Sequence, residues 1–193
     1  MYNMMMINPD SFRSLVSHFR DTELLKDSMH IDVEEKLAIF MHIIAHKMSN
    51  RVTNSRFQHS ASTTSKIFHE VLDAMMIFQK EMIVPTKFDQ PPGPIMHHKI
   101  LRKGSFKRVV GVIDGTLISV NIAEDDKTPY RGRGGGECFQ NVMAICDFNM
   151  MFTYAVAEWE GVAHDARVLS ETLVNTTNNF PMPSSRGKLI FSS

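Results

Sequence analysis

The chain has 193 residues, 43% apolar and 22% charged, enough to bury a core beneath a polar surface. Its 21 basic and 21 acidic residues cancel, so any attraction to nucleic acid has to arise from local asymmetry rather than net charge. No apolar run reaches the roughly 18 residues of a membrane span, and MYNMMMINPDSF does not read as a secretory signal, so no membrane association is expected.

Up to about Val84 the apolar residues recur at helical spacing. In DSFRSLVSHFRD, Phe12, Leu15, Val16 and Phe19 share a face, with Asp10 or Ser11 as N-cap. HIDVEEKLAIFMHIIAHKM carries Leu37, Phe40, Met41 and Ile44 behind an Asp32 cap. SNRVTNSRFQHS holds a short helix and a turn. ASTTSKIFHEVLDAMMIFQ opens with hydroxyl caps and continues with Ile67, Val71, Leu72, Met75 and Phe78. Helix, short helix, turn, longer helix is the order of a helix-turn-helix, an order that three- and four-helix bundles share.

No acid lies between Glu35 and Glu70, a window that holds Lys36, Lys47, Arg51, Arg56, Lys66 and several histidines. Such a window suits a phosphate backbone, and a solvated helical face reads the same way. Lys47, Arg51, Arg56 and Lys66 are the candidate DNA contacts.

KFDQPPGPIMHHKI cannot continue a helix, because Pro91, Pro92 and Pro94 flank Gly93. LRKGSFKRVV follows with a basic cluster, and from Val109 the period shortens to that of strands. VVGVID and LISVNI flank Asp114-Gly115-Thr116 and are expected to form a hairpin. ECFQNVMAICDF and MFTYAVAEW form a second across Phe148-Asn149-Met150-Met151. HDARVLSETLVN is an amphipathic helix that Asp165 caps, and GKLIFSS begins another strand. Antiparallel strands, a helix and one more strand is the order in which an RNase H-like α/β domain is built. The expected organisation is therefore α/β: an all-helical, helix-turn-helix-like region at 1–90, a Pro-rich linker and basic segment at 91–105, and a partial RNase H-like domain at 106–193.

Cys138 and Cys146 lack a CxxC or histidine pattern and read as two reduced core thiols of an intracellular chain. Fifteen methionines scattered through apolar stretches read as core filler.

An acid at the end of a buried strand is costly unless its charge has a partner or a use. Asp114 has three such uses: bonding the turn backbone, pairing with Arg108, or holding a hard metal ion. Mg²⁺ takes oxygen ligands and keeps several waters. Two such ions about 4 Å apart can activate water for phosphodiester cleavage. Asp165 is the other isolated acid beside apolar residues, as a helix cap or a ligand; His164 is a neighbour rather than a ligand. Asp147, Glu158 and Glu160, near strand ends, are secondary candidates, and EDDK at 124–127 reads as a solvated loop. In YRGRGGGE, Arg131 and Arg133 on a glycine-rich loop are placed to approach phosphates, or simply to ride a hairpin loop. The stretch lacks the strand-to-helix context and trailing Lys-Ser/Thr of a P-loop.

GVIDGTLISV, PYRGRGGGECFQNVMAICDFNMMFTYAVAEWEGVAHDARVL and GKLIF together resemble the DDE endonuclease domain of Harbinger-type transposases and their domesticated plant relatives. The stretch HIDVEEKLAIF to SKIFHEVL is similar to the helical region that precedes that domain. The resemblance implies an RNase H-like nuclease core, a divalent cation (Mg²⁺ or Mn²⁺), a DNA substrate, a nuclear location and a separate Myb-like DNA-binding partner. Asp114 matches the first catalytic aspartate, in the family's IDGT motif, and Asp165 matches the acid of its HDSRVL-like segment. Where the family continues with a strand resembling YYLVDAGY, this chain has KLIFSS, and no distal glutamate is matched. The resemblance therefore implies a truncated copy with an incomplete catalytic set, which leaves enzyme activity open. The alternatives are a non-catalytic DNA-binding or transposase-interacting protein, and a product whose unfinished sheet keeps it from folding stably.

Overall fold

A computed structural model describes residues 5–46, 50–85, 93, 97–100, 103, 106–131, 137–161, 163, 165–183 and 187–191. The chain divides into two compact units, Met1–Glu81 and Met82–Ser193. Most of the expected Pro-rich linker at 91–105 lies outside the described residues. No helix among the described residues is long and apolar enough to cross a membrane.

Among the described residues the first unit holds four helical segments in order, α1 (Pro9–Asp21), α2 (Val33–His46), α3 (Asn50–Phe57) and α4 (Ala61–Met82). The start of α1 differs from the expected Asp10 or Ser11 cap. Asn8 is extended and its side chain accepts the Asp10 N–H at 2.8 Å, with Pro9 in the first turn. Proline fixes a helical φ and brings no N–H to satisfy, so the helix begins as early as the proline permits. Phe12, Val16 and Phe19 are buried as their spacing requires.

At α2 the Asp32 carboxylate accepts the Glu35 N–H at 2.7 Å, the expected cap. Val33 and every residue from Lys36 to Phe40 are buried, with His42. Ile39, not Ile44, belongs to the core, and Ile44 remains 49% exposed. α2 buries more than one stripe because it has neighbours on several sides, including a Phe40–Phe68 ring contact at 5.1 Å. α3 ends at Gln58, whose φ of 57° is left-handed, and Ser60 then accepts the Thr63 N–H at 3.2 Å to open α4. α4 buries Thr64, Ile67, Val71 and Ala74, a narrow stripe, with Leu72, Met75 and Phe78 packed beside it.

In the second unit, β1 (Val109–Val120), β2 (Cys138–Cys146), β3 (Phe152–Glu160) and β4 (Lys188–Phe191) form one mixed sheet in the order β3-β2-β1-β4. Neighbours are antiparallel except β4, which runs parallel to β1. The expected hairpin at Asp114-Gly115-Thr116 does not form. β1 is a single strand running through all three residues, paired with β2 without a break from Val112↔Cys146 to Val120↔Cys138. The nine apolar-rich residues of β2 offer a full ladder, which outweighs the local turn preference of Asp-Gly.

The second hairpin is present. The Asp147 carboxylate accepts the N–H groups of Asn149 and Met151, both at 2.9 Å, and Met150 turns the chain with φ 62°. Helix α5 (Asp165–Val174) buries Val168 in a cluster with Ile113, Met143, Ile145 and Tyr154. The Tyr154 hydroxyl donates to the Asn178 carbonyl at 3.0 Å, and burial pushes its phenol pKa up.

Two composition-based expectations meet different outcomes. The cysteines are free, Cys138 buried and Cys146 half-buried at opposite ends of β2. The methionines, in contrast, are divided among the described residues: Met5 and Met143 are buried and Met41 and Met75 pack beside the first core, while Met6, Met29, Met76, Met82, Met150, Met151 and Met182 are exposed. Branched and aromatic side chains, with fewer rotamers to freeze, fill both cores instead.

Candidate metal and nucleic-acid site

Asp114 lies inside β1, opposite Ala144 of β2. The residue before it, Ile113, pairs with Phe191 of β4. Its side chain is exposed, and one carboxylate oxygen accepts the Gly115 N–H at 3.0 Å. Neither the expected turn nor burial applies, and among the described residues no ion pair joins it to Arg108. The charge is on the exposed surface, with the Gly115 N–H as its hydrogen-bond donor.

Alternation fixes which way it faces. Ile113 belongs to the cluster that Val168 of α5 completes, so Asp114 lies on the opposite face, with exposed Thr116 and Ile118. Asp165 is the first residue of α5, and its side chain is outside the described ones, as is His164. The strand alternation does not turn Asp114 toward α5. Among the described residues no three His, Cys, Asp or Glu side chains gather into a group that could hold a metal ion. Asp114 is there a single exposed oxygen donor.

The secondary acids have other occupations. Asp147 is consumed by its hairpin turn. Glu160 is exposed near Arg167, whose pKa is raised first by Glu171, at 2.7 Å, and also by Glu160. Glu158's side chain is outside the described ones. In the EDDK segment a 3-10 turn over Glu124–Asp126 is followed by another over Thr128–Tyr130, and the Glu124 carboxylate holds Lys127 and lies 3.8 Å from Arg131. Lys127, then Arg131, hold the Glu124 carboxyl below its ordinary value. Arg133 and the glycines around it are outside the described residues.

Sequence reasoning passed over two residues that set the path into α5. Asn141, buried in β2, donates its side-chain N–H to the Ala163 carbonyl at 3.1 Å. At Gly161 a Cβ would come within 2.4 Å of the Phe139 carbonyl oxygen, so only glycine lets the chain pass that close to β2. The signal for Asn141 was a polar residue on the inward-facing register of an apolar strand.

In the helical unit, Lys36 leaves the set of basic residues open to DNA. It is buried, donating to Glu70 at 2.6 Å and to the Lys26 carbonyl at 2.8 Å. Glu35 likewise meets His59 at 2.9 Å. The acid-free window of the sequence is therefore flanked in space by the two glutamates at its ends. Arg56 on α3 and Lys66 on α4 are exposed on either side of the turn between those helices. Arg51 lies on α3 with its side chain outside the described ones, and Lys47 is outside the described residues.

A family model described as a domain of unknown function, DUF8040, matches residues 1–77, which takes in α1 to α3 and most of α4. No curated protein and no solved structure matches the chain.

Proposed function

We propose that the chain is a transposase-derived, DDE-type endonuclease-like protein acting on DNA, in which the Asp114 carboxylate is a ligand of a divalent cation, Mg²⁺ or Mn²⁺. The observation that carries this reading is the place of Asp114: an exposed hard-oxygen donor inside β1, the strand that pairs with both β2 and β4. The strand order, with β4 entering parallel beside β1 after a helix, agrees with the RNase H-like architecture that the resemblance implies. A bound cation supplies Lewis-acid activation of water and charge neutralisation at phosphate. Asp114 contributes an anchoring oxygen, held by the Gly115 N–H. Arg56 and Lys66 contribute backbone attraction to the nucleic acid. A nuclear setting and a Myb-like partner belong to the same reading.

A second reading, DNA binding without cleavage, is favoured by one observation. Asp114 faces away from the side of the sheet that α5 covers, and α5 carries Asp165, the other acid that the resemblance assigns. Two measurements on the full chain separate the readings. Mn²⁺ binding followed by electron paramagnetic resonance is expected for wild type and should fall at least about tenfold in Asp114→Ala, as for loss of a carboxylate ligand. Equal binding by the variant would remove Asp114 from the site. Metal-dependent nicking of supercoiled plasmid that disappears in Asp114→Ala identifies catalysis; duplex binding with no nicking identifies the second reading.

A further inference from the structure

The turn between α3 and α4 is three residues long, Gln58 to Ser60, and its first residue is left-handed at φ 57°. Helix-turn-helix units join their two helices by a turn of three or four residues, often with a glycine to supply that conformation. His59, in the middle of the turn, meets Glu35 of α2 at 2.9 Å, so the turn is tied to an earlier helix. Ser60 then accepts the Thr63 N–H and shares hydrogen bonds with the hydroxyls of Ser62, at 2.9 Å, and Thr63, at 2.8 Å. Side chains therefore fix where α4 starts.

One side of α4 buries Thr64, Ile67 and Val71. Ser62, Lys66 and His69 are exposed, at spacings of four and three that put them on one face of the helix. All three can donate hydrogen bonds: a hydroxyl, an ammonium and an imidazole. From Arg56 through His69 the sequence contains no acid. The nearest acids on either side are both engaged, Glu35 by His59 at 2.9 Å and Glu70 by Lys36 at 2.6 Å. The donor face closes at Asp73, exposed one turn beyond His69. At 1.5 Å per residue, Ser62 to His69 covers about 10 Å of helix. That length fits a major groove about 12 Å wide.

We infer that this face of α4 enters the major groove of duplex DNA, where Ser62 and His69 hydrogen-bond base edges while Arg56 and Lys66 hold the flanking phosphates. The inference rests on the DNA reading proposed above and is the same with or without cleavage. Arg56 lies in the last turn of α3, the helix that crosses the backbone when the second helix of such a pair lies in the groove. The division of labour makes binding sequence-selective. A cation on a phosphate reads no sequence, whereas a hydroxyl and an imidazole on base edges respond to the pattern of donors and acceptors there.

Selection from a pool of randomised duplexes, run on the full chain, tests this. Wild type should enrich a short consensus and bind it at least about tenfold more tightly than a shuffled duplex. Ser62→Ala/His69→Ala should bring that ratio close to one and leave the salt slope on the shuffled duplex unchanged. Arg56→Gln should weaken both duplexes alike and flatten the slope by about 0.9. Wild type that binds every duplex alike overturns the inference and leaves the DNA reading standing, whereas wild type that binds no duplex overturns both. A double variant that keeps the preference, or that flattens the salt slope instead, also overturns the inference. Ser62 is bonded to the capping Ser60, so circular dichroism checks that the double variant folds. If it does not, His69→Ala alone, two turns away from the cap, carries the same comparison.

Discussion

Lys36 of α2 and Glu70 of α4 are joined by an ion pair of 2.6 Å whose ammonium side chain is 5% exposed while the carboxylate is 37% exposed. The same ammonium holds the Lys26 carbonyl ahead of α2, so one charge ties together three parts of the helical unit. Removing the carboxylate in Glu70→Ala strands a buried cation. The cost should fall between that of an exposed pair and that of a fully buried one, about 2 kcal/mol. Lys36→Met with Glu70→Leu removes both charges and should recover most of the loss. Urea unfolding of the full chain measures this; a Glu70→Ala loss below about 0.5 kcal/mol would show that the pair is solvated in practice.

Gln58 ends α3 in a left-handed conformation, with Cβ crowding that glycine lacks. Gln58→Gly should therefore stabilise the helical unit by about 0.5–1 kcal/mol. Because the residue is exposed, no packing is lost in exchange. Thermal melts of the two proteins at one pH give the sign. Destabilisation would mean that the Gln58 side chain contributes more than its backbone strain costs.

The Val33 N–H, at 2.7 Å, and then the Arg20 guanidinium, at 3.2 Å, hold the Asp27 carboxyl below its ordinary value of 3.8. A carboxyl depressed in the folded state contributes stability above its ordinary value and loses that contribution as pH falls through the folded one. The helical unit should therefore weaken below about pH 4. Asp27→Asn keeps the acceptor but not the charge, and its melting temperature should fall less steeply over that range. Parallel slopes for wild type and variant would detach Asp27 from the acid transition.

If Arg56 and Lys66 each neutralise one phosphate, duplex affinity should fall with salt, with a slope of about 0.9 per contact on logarithmic axes. Reversing both charges, Arg56→Glu with Lys66→Glu, should flatten the slope by roughly 1.8. Fluorescence anisotropy at a series of salt concentrations reads it directly. An unchanged slope returns both residues to a solvated face.

Much of the fold was legible because periodicity is local. The faces of α1 and α4 and the Asp32 cap could be read from spacing, and so could the hairpin around Asp147. What escaped was decided by partners distant in sequence. Asp-Gly reads as a turn until β2 presents a matching ladder, and then the same residues run straight on. Lys36 reads as a surface cation until Glu70, on another helix, receives it. The candidate site was legible only as a set of residue types. Spacing indicated that Asp114 was out of place in an apolar strand, but the face it occupies depends on the register with β2 and on where α5 packs.

The nine-residue length of β2 turns its two thiols into reporters. Cys138 and Cys146 lie about 27 Å apart along the strand, several times the reach of a disulfide. No oxidant can close a loop between them within one folded molecule, so a disulfide-linked species on a non-reducing gel must join two chains. Burial, and then Asp147, push the Cys146 thiol upward, so it should alkylate slowly at neutral pH. Any oxidative cross-link therefore measures encounters between copies, and its yield should rise with protein concentration rather than with oxidant alone.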